Sequence, residues 1–274
     1  MAEAGEVVYK TILFEGDGPV CSITLNRPQS LNAFTNEMVE ELNDALFEFQ
    51  ADPCFRVAIL SGAGRAFSSG ADVGKRQVVP LSERTSATGQ RPEKTALEEP
   101  LTWKPVIAAV HGFVFGAAVE QMQQCDLIVA ARETKFEISS VGRGLGGAYH
   151  WARLWSAGGG RFANEVVLTG RKFSADEALN NGIVNHVVDG DQLLPFARTL
   201  AGQIAANPPL SVACNVRVMR YFPHRMKREA QYYQQALNLH STRDFQQSAN
   251  AFLGRKLEAE PAPADGQLEE RSSR

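Results

Sequence analysis

The sequence predicts an α/β fold followed by a helical C-terminal region. Two observations carry the prediction. Short apolar runs of strand length alternate with segments of helical spacing: Val20–Leu25, Asn36–Gln50 and Val57–Ser61, then Val106–Val110, Ala117–Gln124 and Leu127–Ala130. That is the strand–helix–strand order of βαβ units. From Asn207 onward the remaining structured segments read as helices. The chain has 274 residues, 44% hydrophobic and 22% charged, enough for one substantial core or two small ones.

Each element has its own signal. Val7–Leu13 and Val20–Leu25 are rich in β-branched residues and flank EGDGP, so a hairpin is expected. Asn26-Arg27-Pro28 ends the second strand, because proline cannot extend a ladder. Asn36–Gln50 places Met38, Val39, Leu42, Ala45, Leu46 and Phe49 on one helical stripe, with Thr35 or Asn36 as N-cap. Val57–Ser61 reads as a buried strand. Residues 74–100 are polar and irregular, with Lys75, Arg76, Arg84, Arg91 and Lys94 among Ser, Thr, Gly and Pro, the composition of a mobile loop. NPPL then opens a helical region over 207–257, with helices expected at Leu210–Tyr221, Lys227–His240 and Phe245–Leu257. Residues 258–274 have almost no apolar side chains and are expected to be disordered. Residues 1–206 form the core unit in this reading.

Several function classes are excluded as expectations. The net charge is −3, without a polybasic tract, so nucleic acid and anionic membrane are not the expected partners. The acidic N-terminus lacks the pattern of a signal peptide, and no run approaches the length of a membrane span. Cys21, Cys54, Cys125 and Cys214 are scattered, without ligand spacing, and read as reduced cysteines in or near the core of a cytoplasmic protein. No metal is expected.

Two short motifs carry candidate chemistry. In FSSGADVG, Gly70 permits a positive φ, and small neighbours leave the Ala71 amide uncovered. It reads either as an ordinary glycine turn or as a donor aimed at a carbonyl oxygen. In FGAAVE, Ala117 and Ala118 leave the first helical amides open, and such amides have no internal partner. Glu120 lies one turn inside, on the face of Gly116. It either complements the helix dipole or serves as a general acid or base. Two amides, one per loop, would form an oxyanion hole for a polarised thioester or enolate.

The order of ITLNRPQSLNAF, VAILSGAGRAFSSGAD, KPVIAAVHGFVFGAAVEQMQQCDLIVAA, LTGRKFSADEALNNGIVNHVV and AFLGRK, spread over residues 7 to 257, resembles the crotonase superfamily, the enoyl-CoA hydratase/isomerase family. The resemblance implies a spiral of ββα turns with a C-terminal helical trimerisation region, and a homotrimer or dimer of trimers. It implies an acyl-CoA substrate, with no cofactor beyond the coenzyme A that the substrate carries. Its oxyanion-hole amides match Ala71 and Ala117, the second usually glycine, so that Ala117 adds a methyl. Its CoA contacts match Gln29, Ser30 and Leu31, and Ser69, Gly70, Ala71 and Asp72. Phe252, Arg255 or Lys256 would reach a neighbour's CoA site.

Hydratases of this family hold two glutamates around one water. Glu120 matches the first, and Ser140 stands in the place of the second. A serine is no carboxylate base near neutral pH. The following stretch, VGRGLGGAYHWARLW, is about one residue shorter than the family pattern and brings Tyr149, His150 and Trp151 near the site. His150 titrates in a useful range and is an accessory candidate, as are Tyr149, Ser140 and Glu137. Arg143 is read as pairing with Glu137 or a substrate carboxylate, and His111 and Asp126 as structural. Three readings follow: an acyl-CoA enzyme using Glu120 as its main acid/base, an orthodox enoyl-CoA hydratase that has recruited Glu137, and a non-catalytic acyl-CoA-binding protein.

Overall fold

The structure, a computed structural model, describes residues 8–73, 102–235, 237, 239–252 and 254. The expected mobile loop at 74–100 and disordered tail at 258–274 lie outside the described residues, as do Val7, Arg255, Lys256 and Leu257. The chain opens with the hairpin β1 (Ile12–Asp17) and β2 (Val20–Leu25). Its register, Ile12 opposite Leu25 and Asp17 opposite Val20, leaves a two-residue turn at Gly18-Pro19. The turn is therefore tighter than the EGDGP segment suggested. Glu15 and Gly16 remain in the ladder because Ser22 and Cys21 are there to pair with them.

Helix α1 (Asn36–Ala51) buries Met38, Val39, Leu42, Ala45, Leu46 and Phe49, the full predicted stripe. The Thr35 hydroxyl accepts from the Met38 amide at 3.2 Å, a cap that contributes about 1 kcal/mol. Strands β3 (Val57–Gly62), β4 (Val106–Val110), β6 (Leu127–Ala131) and β9 (His186–Val188) follow in parallel beside β2, giving a six-stranded sheet of order β1-β2-β3-β4-β6-β9. A smaller sheet joins β5 (Phe113–Phe115), β7 (Lys135–Glu137) and β8 (Lys172–Ser174).

Strand β4 and the first four residues of β3 are apolar because both faces of the large sheet are covered. Ala58, Leu60, Val106, Ala108 and Val110 face the main core with α1, Phe67, Val114 and Phe136. Val57, Ile59, Ile107 and Ala109 face the other way, against Leu193, Ala197 and Ala201 of the later helix at Leu193–Ala205. The alternation follows from the two-residue period of a strand. The parallel strands place their C-terminal ends together, and β3 and β4 run from there into residues 63–73 and 111–117.

The other helices are α2 (Ala117–Met122), α3 (Ala148–Leu154), α4 (Gly160–Thr169), α5 (Ala175–Asn180), α6 (Leu193–Ala205), α7 (Pro209–Gln235) and α8 (Arg243–Phe252). Two separate helices were expected within 210–240. Instead, α7 runs unbroken through Pro223. Its buried residues Val216 and Lys227 stand eleven positions apart, three turns along one face. Packing of that face, chiefly on α3, outweighs the hydrogen bond that proline removes. Cys21 and Cys125 are buried, but Cys54 and Cys214 are exposed, so only half of the cysteines sit where the sequence suggested. Among the described residues, no helix is long and apolar enough to cross a membrane.

One ion pair ties α7 to the start of β4. Arg220 donates to both carboxylate oxygens of Asp126 and to the carbonyls of Thr102 and Lys104, and Asp126 also accepts from the Val106 amide at 2.8 Å. The carboxylate is 5% exposed and the guanidinium 15%. Removing one partner strands the other charge in a site of low polarity. Arg220→Ala is therefore expected to lower the unfolding free energy by about 3 kcal/mol, read from urea titration of the whole chain.

Candidate active site

The site is assembled by backbone. After β3 the chain turns back, and Phe67–Asp72 runs between two other segments. On one side the Phe67 amide donates to His111, Ser68 to Phe113, and Phe115 to Ser68, at 2.8, 3.1 and 3.2 Å. On the other side the Ser69 amide donates to Leu31, Phe34 to Gly70, and Asp72 to Phe34, at 2.9, 2.8 and 2.9 Å. The two stretches matched to CoA contacts, Gln29–Leu31 and Ser69–Asp72, are thus adjacent. Asp72 also forms a half-buried ion pair with Arg27 at 3.4 Å.

The pairing of Phe34 with Ala71 fixes where the Ala71 amide goes. Phe34 bonds to the residues on either side of Ala71, in the manner of a parallel bridge. The Ala71 N–H then points away from Phe34. Gly70, with φ of +92°, lies against the second loop: a Cβ built there would stand 2.4 Å from the Phe115 carbonyl oxygen and 3.2 Å from the Ala117 nitrogen. Only a residue without a side chain admits this approach.

Gly116 is the N-cap of α2, with φ 52° and ψ −118°, a combination reserved for glycine. Its own amide donates to the Glu137 carbonyl at 2.8 Å. That leaves Ala117 as the first helical residue, where an amide has no partner within the helix. The Ala117 methyl packs against the main core. Glu120 follows one turn later and is half-buried, its amide 3.4 Å from the Gly116 carbonyl. The structure therefore brings Ala71, Ala117 and Glu120 into one region at the C-terminal ends of the parallel strands, where ligands of open α/β sheets bind.

The accessory candidates lie on β7 and the segment after it, whose backbone meets Gly116, or are buried in α3. Phe136 faces the core, so alternation turns Glu137 to the opposite face of β7. There its carboxylate lies 3.8 Å from Lys172, whose ammonium sits 5.4 Å from the centre of the Phe115 ring. Ser140 ends the segment after β7 and accepts through its carbonyl from Arg143 and Leu145, at 3.0 and 2.9 Å. Helix α8 covers this turn: Ser248 donates to Gly142 at 3.1 Å, and the Arg143 guanidinium lies 4.4 Å from the centre of the Phe252 ring. Phe252, expected to reach a neighbour, touches Arg143 of its own chain and remains 63% exposed. Burial pulls the Arg143 guanidinium below its usual range, with the Glu137 charge opposing.

Tyr149 and His150 are both buried in α3. Lys227 of α7, 3% exposed, stands 4.3 Å from the centre of the Tyr149 ring. His150 is 6% exposed, its Nδ1 has no hydrogen-bond partner among the described residues, and burial pulls its pKa down to about 4. It is a neutral imidazole closed off from solvent rather than an open acid or base. His111 bonds to the Gly64 carbonyl at 2.8 Å. Among the described residues, no group of three or more His, Cys, Asp and Glu side chains is arranged to hold a metal.

The sequence reading missed Asn32. Its buried amide side chain donates to Ala63 and Ala66 at 2.9 and 2.8 Å, and accepts from the Arg27 amide at 2.8 Å. Its backbone carbonyl takes the Ser68 hydroxyl at 2.7 Å. The available signal was an asparagine in LNAF just after a proline-ended strand, the kind of residue that tolerates the left-handed conformation seen here (φ 53°).

Comparison with known proteins converges on one family. The sequence pattern of the enoyl-CoA hydratase/isomerase family matches residues 15–259. An (E)-benzylidenesuccinyl-CoA hydratase of Thauera aromatica is 36% identical over 203 residues, covering 73% of this chain and 78% of that protein. A short-chain-enoyl-CoA hydratase of Clostridium acetobutylicum is 32% identical over 210 residues, covering 73% and 77%. A methylmalonyl-CoA decarboxylase, solved in complex with 2-nitronate-propionyl-CoA, superimposes with a TM-score of 0.75 at 26% identity, covering 92% of this chain and 99% of that one.

The buried imidazole makes stability depend on pH. Its folded-state pKa of about 4 lies below the ordinary 6.5, so between those values the unfolded chain binds more protons than the native one. Stability falls as pH drops through that window. From pH 7 to pH 5 the loss from this group is expected to be roughly 2 kcal/mol. Urea titrations at the two pH values, compared with His150→Gln, isolate it: the variant should lose less stability by about that amount.

Proposed function

The chain belongs to the enoyl-CoA hydratase/isomerase family, the crotonase superfamily, and from that premise we propose that it moves a proton on the acyl chain of a CoA thioester through an enolate. The thioester oxygen accepts from the Ala71 and Ala117 amides, and charge that develops on it in the transition state is held by two donors already in place. Glu120 is the acid/base. As the α C–H bond breaks, the Glu120 carboxylate takes the proton, and the electron pair of that bond passes into the C=C bond of the enolate while the carbonyl oxygen gains the charge. The same carboxyl then returns the proton to carbon. Gln29, Ser30, Leu31, Ser69, Gly70 and Asp72 line the path of the CoA moiety, and the chemistry needs no further cofactor.

The observation that carries this reading is the contact of Gly70 with Phe115 and Ala117. That contact supports a pairing of the Ala71 and Ala117 amides, with the Glu120 carboxylate one turn away. Ser140, where a second glutamate would activate water, cannot accept a proton at neutral pH. Glu137 is drawn toward Lys172 instead. Relatives named as hydratases keep hydration within the class of reactions to assay. A reaction that shuttles the substrate's own proton, such as isomerisation of an enoyl-CoA, is the one a single carboxylate can complete.

The exposed apolar side chains of α7, among them Leu210 (85%), Phe222 (67%) and Tyr233 (78%), form a surface unlike that of a monomer. In this reading further copies of the chain cover it, as a trimer or a dimer of trimers.

Two outcomes are expected. Glu120→Gln should reduce turnover at least about a thousandfold across a panel of acyl- and enoyl-CoA esters while CoA-ester affinity, measured by calorimetry, stays within a few-fold; unchanged turnover removes Glu120 from the chemistry. Sedimentation of the whole chain should give the mass of three or six copies, and Phe222→Glu should shift it toward one.

A further inference from the structure

Six buried side-chain atoms on α2, its C-terminal turn and α3 have no hydrogen-bond partner among the described residues: Gln121 Oε1, Gln123 Nε2 and Oε1, Gln124 Nε2, His150 Nδ1 and Arg153 Nε. Helices α2 and α3 pack on each other. Gln121 and Gln124 are three residues apart, and so are His150 and Arg153, so each pair shares a face. The Cys125 thiol, which donates to the Gln121 carbonyl at 3.7 Å, feels the charge of Arg153. Arg153 of α3 is thus within electrostatic reach of the end of α2. Gln121 is 1% exposed, Gln124 7% and His150 6%.

Buried polar atoms are otherwise satisfied by protein or by ordered water. These atoms are already hidden within one chain, so neither a second copy nor a CoA ester reaches them. A guest here must be water-sized and must both donate and accept, since the seam offers orphan acceptors and orphan donors together. Helix α2 has six residues, too few to hold its register unaided. A directional polar seam fixes that register where an apolar contact would allow sliding.

We propose that ordered water fills the seam between α2 and α3, and that His150, bonded through this water, is a positioning residue for α2 and hence for Glu120. The second half rests on the acid/base reading of Glu120; the first does not.

The test combines structure and kinetics on the full chain. A crystal structure that resolves solvent should show water within hydrogen-bond reach of His150 Nδ1 and of at least one of Gln121 Oε1, Gln124 Nε2 and Arg153 Nε. A dry seam with these side chains paired directly overturns the proposal. His150→Leu should lower kcat about tenfold or more with KM within about twofold, the pattern of a displaced catalytic group, and His150→Gln should recover most of the loss. An unchanged kcat in His150→Leu, or a change confined to KM, overturns the positioning role even if the thermal midpoint falls. Should His150→Leu fail to fold, Gln124→Met removes one donor of the same seam and carries the same kcat criterion. Full turnover by Glu120→Gln would instead defeat the acid/base reading and leave the wet seam to stand or fall on the crystal structure.

Discussion

The site depends on backbone touching backbone. Two loops that follow β3 and β4 meet at Gly70, and the meeting leaves no room for a Cβ. A site made of amides gains from this. Side-chain donors lose rotamer freedom on ordering, whereas an amide in a paired segment is already fixed. Here the fixing is mutual. The Phe34 bridge turns Ala71 in one sense, the Glu137 carbonyl holds Gly116 in another, and Gly70 sets the distance between them. Each contact lies in a different stretch of sequence, so a displacement of any one moves the donors relative to each other.

The first of those stretches carries local strain. Leu31 and Asn32 both have left-handed φ, 49° and 53°, and for a leucine this costs on the order of 1–2 kcal/mol. Asn32 offsets it with three side-chain hydrogen bonds in a site of no exposure. The strained turn sends the Leu31 carbonyl to Ser69 and the Phe34 strand to Ala71. The segment matched to CoA contacts and the segment that holds a donor amide are therefore one mechanical unit.

What the sequence made legible was local periodicity. Helix α1 appears with its stripe and its cap because six apolar residues and Thr35 decide it without help from distant segments. The strands β3 and β4 were legible for the same reason. The continuity of α7 through Pro223 was not, because the deciding term is packing on α3, far away in sequence. Nor was the state of His150. Its composition signal, a titratable ring near candidate chemistry, is the same whether the ring faces a substrate or a sealed seam, and burial alone separates the two. Asn32 was passed over because its partners, Ala63 and Ala66, are set by tertiary structure. Residues 74–100, an expected mobile loop, lie outside the described residues.

In the proposed reading one side chain, Ser140 in place of a second carboxylate, separates reactions on this fold. At Ser140 the backbone keeps a hydrogen-bonded turn, with α8 packed over it. Glu137, three residues earlier, has its carboxylate on the face of Lys172 in the small sheet, while its carbonyl holds Gly116. In the proposed reading Ser140 does not serve as a base, because a hydroxyl can exchange hydrogen bonds without taking up a proton near neutral pH. On that reading stabilisation of the enolate is untouched by this change, since it belongs to backbone amides. The enzyme then retains what every reaction of this class shares, a held oxyanion and one carboxylate, and the acyl chain itself must supply the atom that the proton leaves and the atom that receives it.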